Sequence, residues 1–142
     1  MKSFLDEVAA RTPAPGGGAV AAMTAASAAA LVSMAARFSA SEDVATAGDE
    51  LRARLVQLAS DDAKAYRAVL AARGAARQEA MRVATEVPRE IASVAAEVAV
   101  LAHGLVENGN PRLVGDARVA ELVAEAAGRA AGVLVEINTS PR

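Results

Sequence analysis

Apolar residues recur along this chain three and four positions apart, as they do on one face of an α-helix. No stretch alternates apolar and polar residues as a half-buried strand does. Five or six helices are predicted, running from about Ser3 to Arg11, Ala19 to Phe38, Glu42 to Arg73, Ala75 to Glu107 with a kink or a fresh start at Pro88, and Asp116 to Ile137. The pattern predicts an all-α fold, a compact helical bundle with no sheet, and residues 1–142 are predicted to form a single helical domain.

Polar residues at the predicted helix ends are candidate caps. Ser3, Ser41 and Asp116 stand at the beginning of apolar-periodic segments, where a side-chain oxygen can accept a hydrogen bond from a free backbone N–H. Asn138 follows Ile137, the last apolar position, and is predicted to cap the end of the last helix.

The composition narrows the class of protein. Alanine, the strongest helix former, accounts for 39 of the 142 residues, and one Tyr, two Phe and no Trp disfavour an all-β fold. The absence of cysteine excludes disulfides and a cysteine nucleophile, and a single histidine excludes a multi-histidine metal site within one chain, so no metal is predicted. A pI near 5.4 argues against general nucleic-acid binding. Arg77, Arg82 and Arg89 are predicted to be solvated charges.

One uncharged segment, Gly16 to Ala36, is long enough to cross a membrane. It holds few of the large apolar side chains that drive membrane insertion, so a buried core helix is the preferred interpretation and no membrane partner is predicted. The opening residues Ser3 to Glu7 are acidic where a secretory signal needs an apolar run, and a cytoplasmic location is expected. Small residues surround much of the apolar helix, which one short chain would have difficulty covering, so a homodimer, or a higher assembly built from dimers, is predicted.

A loop rich in proline and glycine is the first candidate site. It has the sequence Thr12-Pro13-Ala14-Pro15-Gly16-Gly17-Gly18 and precedes the apolar helix. Glycines at a helix N-terminus leave backbone N–H groups unobstructed, which suits an anion or a flat polar ligand. The spacing is neither a Walker loop nor a dinucleotide fingerprint. A plain helix–helix connector is the alternative, and the residues alone leave both open.

Asp62 is the second candidate. At 100° per residue it falls in the middle of an apolar stripe with Leu55, Leu58 and Val69, whereas Asp61 lies at the edge of that stripe. Burial is costly for a carboxylate and raises its pKa, which is what a general acid or base near neutral pH requires. The alternative is a structural aspartate that caps a neighbouring helix or pairs with an arginine.

The segment from Gly109-Asn110-Pro111 through Asp116 is the third candidate, because the Asn110 side chain in this predicted turn has both donor and acceptor groups.

Five segments of the chain together carry a resemblance to a known family. The segments that carry the resemblance are Phe4 to Gly18, Asp62-Ala63-Lys64-Ala65-Tyr66, Val87-Pro88, Gly109-Asn110-Pro111 followed by Asp116, and Ile137-Asn138. In this order they resemble the C-terminal domain of formiminotransferase-cyclodeaminase, which is shared by stand-alone methenyltetrahydrofolate cyclohydrolases.

The resemblance implies an all-helical folate enzyme, usually a dimer, with a tetrahydrofolate as its small-molecule substrate and no cofactor beyond it. It implies that Asp62 is the catalytic acid/base. It implies a folate site lined by Thr12, Pro13, Pro15, Gly16, Gly17, Gly18, Asn110 and Asp116. The implied reaction is cyclodeamination of 5-formiminotetrahydrofolate or hydrolysis of 5,10-methenyltetrahydrofolate. Ala19 and Gly115 stand where the family usually has serine. The alternative is therefore a catalytically degenerate folate-binding or structural helical dimer of the same fold.

Overall fold

The computed structural model describes residues 1–140. These residues form α1 (Lys2–Ala9), α2 (Gly17–Phe38), α3 (Glu42–Ala71), α4 (Gly74–Asn108), a 3₁₀ turn (Pro111–Leu113) and α5 (Val114–Thr139). No strand occurs in this part of the chain. The prediction of an all-α bundle without a sheet is confirmed, with five α-helices.

Pro88 neither breaks α4 nor begins a new helix. The helix is continuous from Gly74 to Asn108 with Pro88 in its interior and fully buried. Packing on the neighbouring helices therefore outweighs the lost backbone hydrogen bond. The alternative of a fresh helix start at Pro88 is therefore wrong, although the outer limits of the helix agree with the prediction.

The predicted side-chain caps are largely absent. Ser3 lies inside α1, and Asp116 lies in the first turn of α5, whose N-cap is Leu113. Ser41 occupies the N-cap position of α3 but its side chain makes no capping bond. Asn138 lies within α5 rather than after it. The position predicted for Ser41 is confirmed without its side-chain bond. The other three cap predictions are wrong, because the helices extend one or two residues beyond the limits that the apolar pattern predicts.

Helix α2 is the core of the bundle and packs against α3, α4 and α5. Its buried residues are mostly alanines, and the chain also buries the larger Leu55, Leu58 and Ile91 around it. By length and composition α2 could cross a membrane, yet 61% of its most apolar window is buried inside the bundle. It is therefore the core helix that the sequence predicted.

One face of α2 is not covered by the other helices. Val20 and Phe38 are exposed on it, Phe38 to 65%, and Met23, Leu31 and Met34 are half-buried. Their spacings of three, eight, three and four positions place them on one side of the helix. That side is uncharged along the length of the helix between Val20 and Phe38.

A glycine sets how closely α2 and α3 approach. A Cβ on Gly48 would lie 2.5 Å from Ser33 Oγ, 3.2 Å from the backbone N of Ser33 and 3.3 Å from the carbonyl O of Ala29. Ser33 is itself buried and donates its hydroxyl to Ala29 O. The backbone of α2 is therefore too near for any side chain at position 48.

We expect Gly48→Ala to lower the free energy of unfolding by about 1–3 kcal/mol, because the added methyl forces α2 and α3 apart. Gly104→Ala is the matched control, since a Cβ there meets no atom within 4 Å. That control should raise stability by about 0.5–1 kcal/mol through helix propensity. Urea denaturation followed by circular dichroism measures both. Equal effects of the two substitutions would contradict the close approach.

Candidate functional site

A cavity of about 460 Å³ opens at the N-terminal end of α2. This volume falls within the range of small-molecule sites. Its walls come from the proline-glycine loop and four helices, and they comprise Pro13, Ala14, Gly16, Gly17, Gly18, Asp62, Tyr66, Val69, Leu70, Arg77, Met81, Ala84, Pro88, Leu134 and Asn138. The cavity therefore lies where helix ends meet, next to the loop that the sequence singled out.

One face of α3 supplies the wall opposite the loop. Asp62, Tyr66 and Val69 follow one another at four- and three-residue spacing, which aligns side chains along one side of a helix. Val69 is buried and Tyr66 is 47% exposed, so this face of α3 contributes both a core residue and an exposed residue to the cavity wall. The apolar stripe predicted for this helix thus continues into the cavity wall.

Asp62 joins α3 to the first turn of α2. Its Oδ2 accepts a hydrogen bond from the backbone N–H of Ala19 at 3.0 Å. The N-cap of α2 is Gly16, which has no side chain to satisfy the free N–H groups of the first turn. A carboxylate from another helix takes that place, where the helix dipole favours negative charge. Asp62 is therefore a helix cap and a cavity residue at the same time, so the two interpretations of its sequence position are not exclusive.

Gly18 makes this contact possible. A Cβ on Gly18 would lie 2.0 Å from Asp62 Oδ1 and 2.4 Å from Asp62 Cγ. Any other residue at this position would displace the carboxylate from the helix end. The third glycine of the loop is thus required by the close approach of a side chain from α3.

Burial raises the pKa of Asp62, and the hydrogen bond from Ala19 N–H partly offsets that rise. The folded protein therefore holds the Asp62 proton more tightly than the unfolded chain does. Stability from this group is present at low pH and declines as the pH rises from the ordinary aspartate range through the raised pKa. The group retains its proton at a higher pH than an ordinary aspartate, which suits proton exchange with a substrate.

Asn138 supplies the hydrogen-bond donor that α4 lacks at Pro88. Pro88 has no N–H to donate to the carbonyl of Ala84, four residues earlier in α4. Asn138 Nδ2, from α5, donates to that carbonyl at 3.0 Å. Because a carbonyl oxygen only accepts, this bond orients the amide of Asn138 and leaves Oδ1 as an acceptor for a bound molecule. The Val87-Pro88 and Ile137-Asn138 segments of the sequence are thus parts of one contact.

The structure brings together only some of the predicted site residues. Pro13, Gly16, Gly17, Gly18 and Asp62 line the cavity, whereas Thr12 and Pro15 do not. The loop therefore contributes its glycine end and Pro13 to the wall.

Asn110 and Asp116 lie far from this cavity within one chain. Asn110 Nδ2 donates to the carbonyl of Phe38 at 2.9 Å, and its backbone N–H donates to Ser39 Oγ at 2.8 Å. These contacts close the C-terminal end of α2, about 30 Å from its N-terminus by helix length. Asp116 stands in the first turn of α5, whose last turns reach the cavity. A single chain does not place either residue at the site.

The cavity also contains polar residues that the sequence analysis missed. Arg77, predicted to be a solvated charge, is exposed yet lines the cavity, and its Nη1 donates to the carbonyl of Val69 at 2.8 Å. Asn138 was predicted to be a cap, and Tyr66 entered only as part of a motif. The spacing along the chain carries no signal for Arg77, because its position depends on how α4 packs beside α3.

The fold and the cavity together are those of an all-α domain with a site of small-molecule size. The sequence profile of the formiminotransferase-cyclodeaminase family matches residues 1–141. A methenyltetrahydrofolate cyclohydrolase from Methylorubrum extorquens is 35% identical over 97% of this chain and 78% of the relative. The crystal structure of a formiminotetrahydrofolate cyclodeaminase from Thermotoga maritima superposes with a TM-score of 0.93 at 33% identity, over 97% of this chain and 77% of that one.

The chain belongs to the formiminotransferase-cyclodeaminase family. The named relatives are a cyclohydrolase and a cyclodeaminase of folates, so this is a family of one-carbon folate enzymes. The resemblance seen in the sequence is confirmed over nearly the whole chain.

We expect Asn138→Ala to lower the free energy of unfolding by about 1 kcal/mol, because it leaves the carbonyl of Ala84 without its donor. In a Pro88→Ala background the same substitution should cost clearly less, since the restored N–H at position 88 can reach that carbonyl. Urea denaturation of the four proteins in this double-mutant cycle measures the coupling.

Asn108→Ala is the control for this cycle. Its amide bonds only a carbonyl of its own helix, that of Gly104 at 3.4 Å, and is exposed. It should change stability by less than about 0.5 kcal/mol. An equal cost of Asn138→Ala with and without Pro88 would disprove the link between the two residues.

Proposed function

We propose that this protein is a one-carbon folate enzyme in which Asp62 is the general acid/base. It acts on 5-formiminotetrahydrofolate to give 5,10-methenyltetrahydrofolate and ammonia, or it hydrolyses 5,10-methenyltetrahydrofolate. The observation that carries the proposal is the placement of Asp62, a partly buried carboxylate with a raised pKa in the wall of a ligand-sized cavity. Its family supports the substrate class.

In the cyclodeamination, N10 attacks the carbon of the formimino group, which reacts in its protonated amidinium form, and a five-membered ring closes. The carboxylate of Asp62 takes the proton from N10, and the resulting acid returns it to the departing nitrogen. The bond between carbon and that nitrogen then breaks, and ammonia leaves with the proton. One carboxyl group therefore serves as base in the first half of the reaction and as acid in the second.

The hydrolysis needs the same group. Water replaces N10 as the nucleophile, adds to the methenyl carbon and gives up a proton to the carboxylate. The tetrahedral centre then opens by cleavage of one carbon–nitrogen bond. The acid protonates the nitrogen that is released, and the hydroxyl on the carbon loses its proton to solvent as the formyl C=O forms. Neither route changes the oxidation state of the one-carbon unit, so the proposal includes no cofactor beyond the tetrahydrofolate substrate.

The hydrogen bond from Ala19 has a part in this chemistry. It occupies Oδ2 of Asp62 and leaves Oδ1 as the oxygen that exchanges the proton. Because the donor is the backbone N–H of residue 19, the contact does not depend on a serine hydroxyl at that position. The alanine found here is therefore compatible with the proposed role of Asp62.

We expect Asp62→Asn to reduce turnover by about 10²- to 10⁴-fold while the folate still binds. The amide oxygen still accepts the hydrogen bond from the Ala19 N–H, but an amide cannot take up and release a proton as a carboxyl group does. Stability at neutral pH should hold or rise, since a partly buried carboxylate becomes neutral. The absorbance of methenyltetrahydrofolate, with both substrates offered, measures turnover.

Asp61→Asn is the control for this substitution. Asp61 does not line the cavity. Its carboxylate accepts a hydrogen bond from Gln57 Nε2 at 2.9 Å and forms an ion pair with Lys64. It should leave the rate within a few-fold of wild type. If Asp62→Asn folds and retains full activity, the acid/base role is wrong. If the wild type converts neither substrate, the result supports the alternative of a degenerate folate-binding or structural protein.

A homodimer formed through the uncovered face of α2 is part of the proposal. The face is uncharged between Val20 and Phe38, and its pattern of apolar side chains matches a helix that packs against a second copy of itself. Charge introduced at its centre would be buried without a partner in such a dimer.

We expect light scattering at micromolar concentration to give twice the mass of the 14.3 kDa chain. Leu31→Glu should convert the protein to a monomer that retains its helix content. Val100→Glu, at a position exposed on α4, is the control and should leave the mass unchanged. A compact monomer in the wild type, or a dimer that survives Leu31→Glu, would argue against this interface.

A further inference from the structure

The cavity carries opposite charges at two separate places. Asp62 lies beside the N-terminus of α2, and the guanidinium of Arg77 donates to the carbonyl of Val69 at 2.8 Å. Residues 62 and 69 are two turns apart on α3, which is about 10 Å along the helix. The carboxylate and the guanidinium thus stand at the two ends of one wall.

The guanidinium of Arg77 has N–H donors that no other residue among 1–140 uses. Arg54, Arg82 and Arg118 each form an ion pair with a carboxylate, whereas among residues 1–140 Arg77 bonds only to a backbone carbonyl. A guanidinium has five N–H donors in a planar fork that fits a carboxylate with two parallel hydrogen bonds. Arg77 is therefore a cation in the cavity wall that is open to an anionic ligand.

Tyr66 lies between the two charged groups. It is one turn beyond Asp62 on α3 and lines the same cavity with its ring half exposed. A flat aromatic side chain in this place offers a surface for another ring, in offset-stacked or edge-on contact. The order along the wall is carboxylate, aromatic ring, guanidinium.

This order matches the chemical order of a tetrahydrofolate. Its reactive one-carbon unit is an amidine or amidinium, next comes a benzoyl ring, and a glutamate with two carboxylates ends the molecule. We propose that Arg77 binds a carboxylate of this glutamate tail, with the benzoyl ring against Tyr66 and the one-carbon unit at Asp62. Arg77 is then a specificity-determining residue, and the inference rests on the proposed folate function.

A purely structural role for Arg77 gives a different expectation. The last carbonyls of α3 have no partners within the helix, and Arg77 satisfies one of them at Val69. Arg73 does the same at Leu70 and Ala72, with distances of 3.0 and 2.8 Å, but does not line the cavity. Arg73 is therefore a matched control, because it shares the capping contact and lacks access to the ligand.

The test compares the binding of two compounds by titration calorimetry. One is 5-formyltetrahydrofolate, which has an oxygen in place of the formimino nitrogen and cannot lose ammonia. The other is the N-methylamide of 5-formyltetrahydropteroate, which lacks the glutamate and ends in a neutral amide. The wild type should bind the compound with the tail about 10- to 100-fold more tightly, as expected for charged hydrogen bonds to a carboxylate. Arg77→Gln should abolish that preference and leave the affinity for the tail-less compound unchanged.

The control variant and the remaining outcomes separate the two proposals. Arg73→Gln should retain the preference for the tail. If the wild type binds both compounds equally, or if Arg77→Gln retains the preference, the tail contact is overturned and the folate function stands. If both arginine variants weaken both compounds alike, Arg77 is only a cap of α3 and the inference fails. If the wild type binds neither compound, the folate function itself is overturned.

Discussion

The hydrogen bond from the Ala19 N–H to the carboxylate of Asp62 is the contact on which the site depends. It joins the first turn of the core helix to the middle of α3 and fixes where the proline-glycine loop meets the rest of the bundle. The bond requires a helix start without side chains, because a Cβ at Gly18 would occupy the space of the carboxylate. It also holds a charge in a partly buried place, which raises the pKa of Asp62. One interaction thus links the glycine loop, the helix packing and the proposed acid/base.

The alanine-rich core is the reason that such contacts between helices form. Small side chains and Gly48 let the backbones of α2 and α3 approach closely, so a short aspartate side chain can span the gap to a backbone N–H. The cavity opens at the N-terminal end of α2, where the proline-glycine loop forms part of its wall.

Three side chains in the cavity wall each bond a backbone group that has no hydrogen-bond partner within its own helix. The first turn of α2 is capped by Asp62, the end of α3 by Arg77, and the carbonyl freed by Pro88 by Asn138. Each of these side chains satisfies a backbone group and retains further hydrogen-bonding capacity for a ligand. Stability and the proposed recognition of a folate therefore draw on the same residues, so a substitution at the site requires a control that separates the two.

The sequence by itself determined the helices, the core helix and two parts of the site, the glycine end of the loop and Asp62. Helical periodicity is local, so the extents of α2 and α4 and the absence of strands followed from spacing, and Asp62 was found because it interrupts an apolar stripe on its own helix. The predictions of caps at Ser3, Asp116 and Asn138 were wrong because α1 and α5 extend one or two residues beyond their apolar pattern, and spacing does not define helix ends that closely. Only the tertiary structure placed Asn110 at the far end of α2 and brought Arg77 and Asn138 into the cavity. The bond between Asn138 and Ala84 joins positions 54 residues apart, and such a contact depends on the direction and packing of whole helices, which local spacing does not encode.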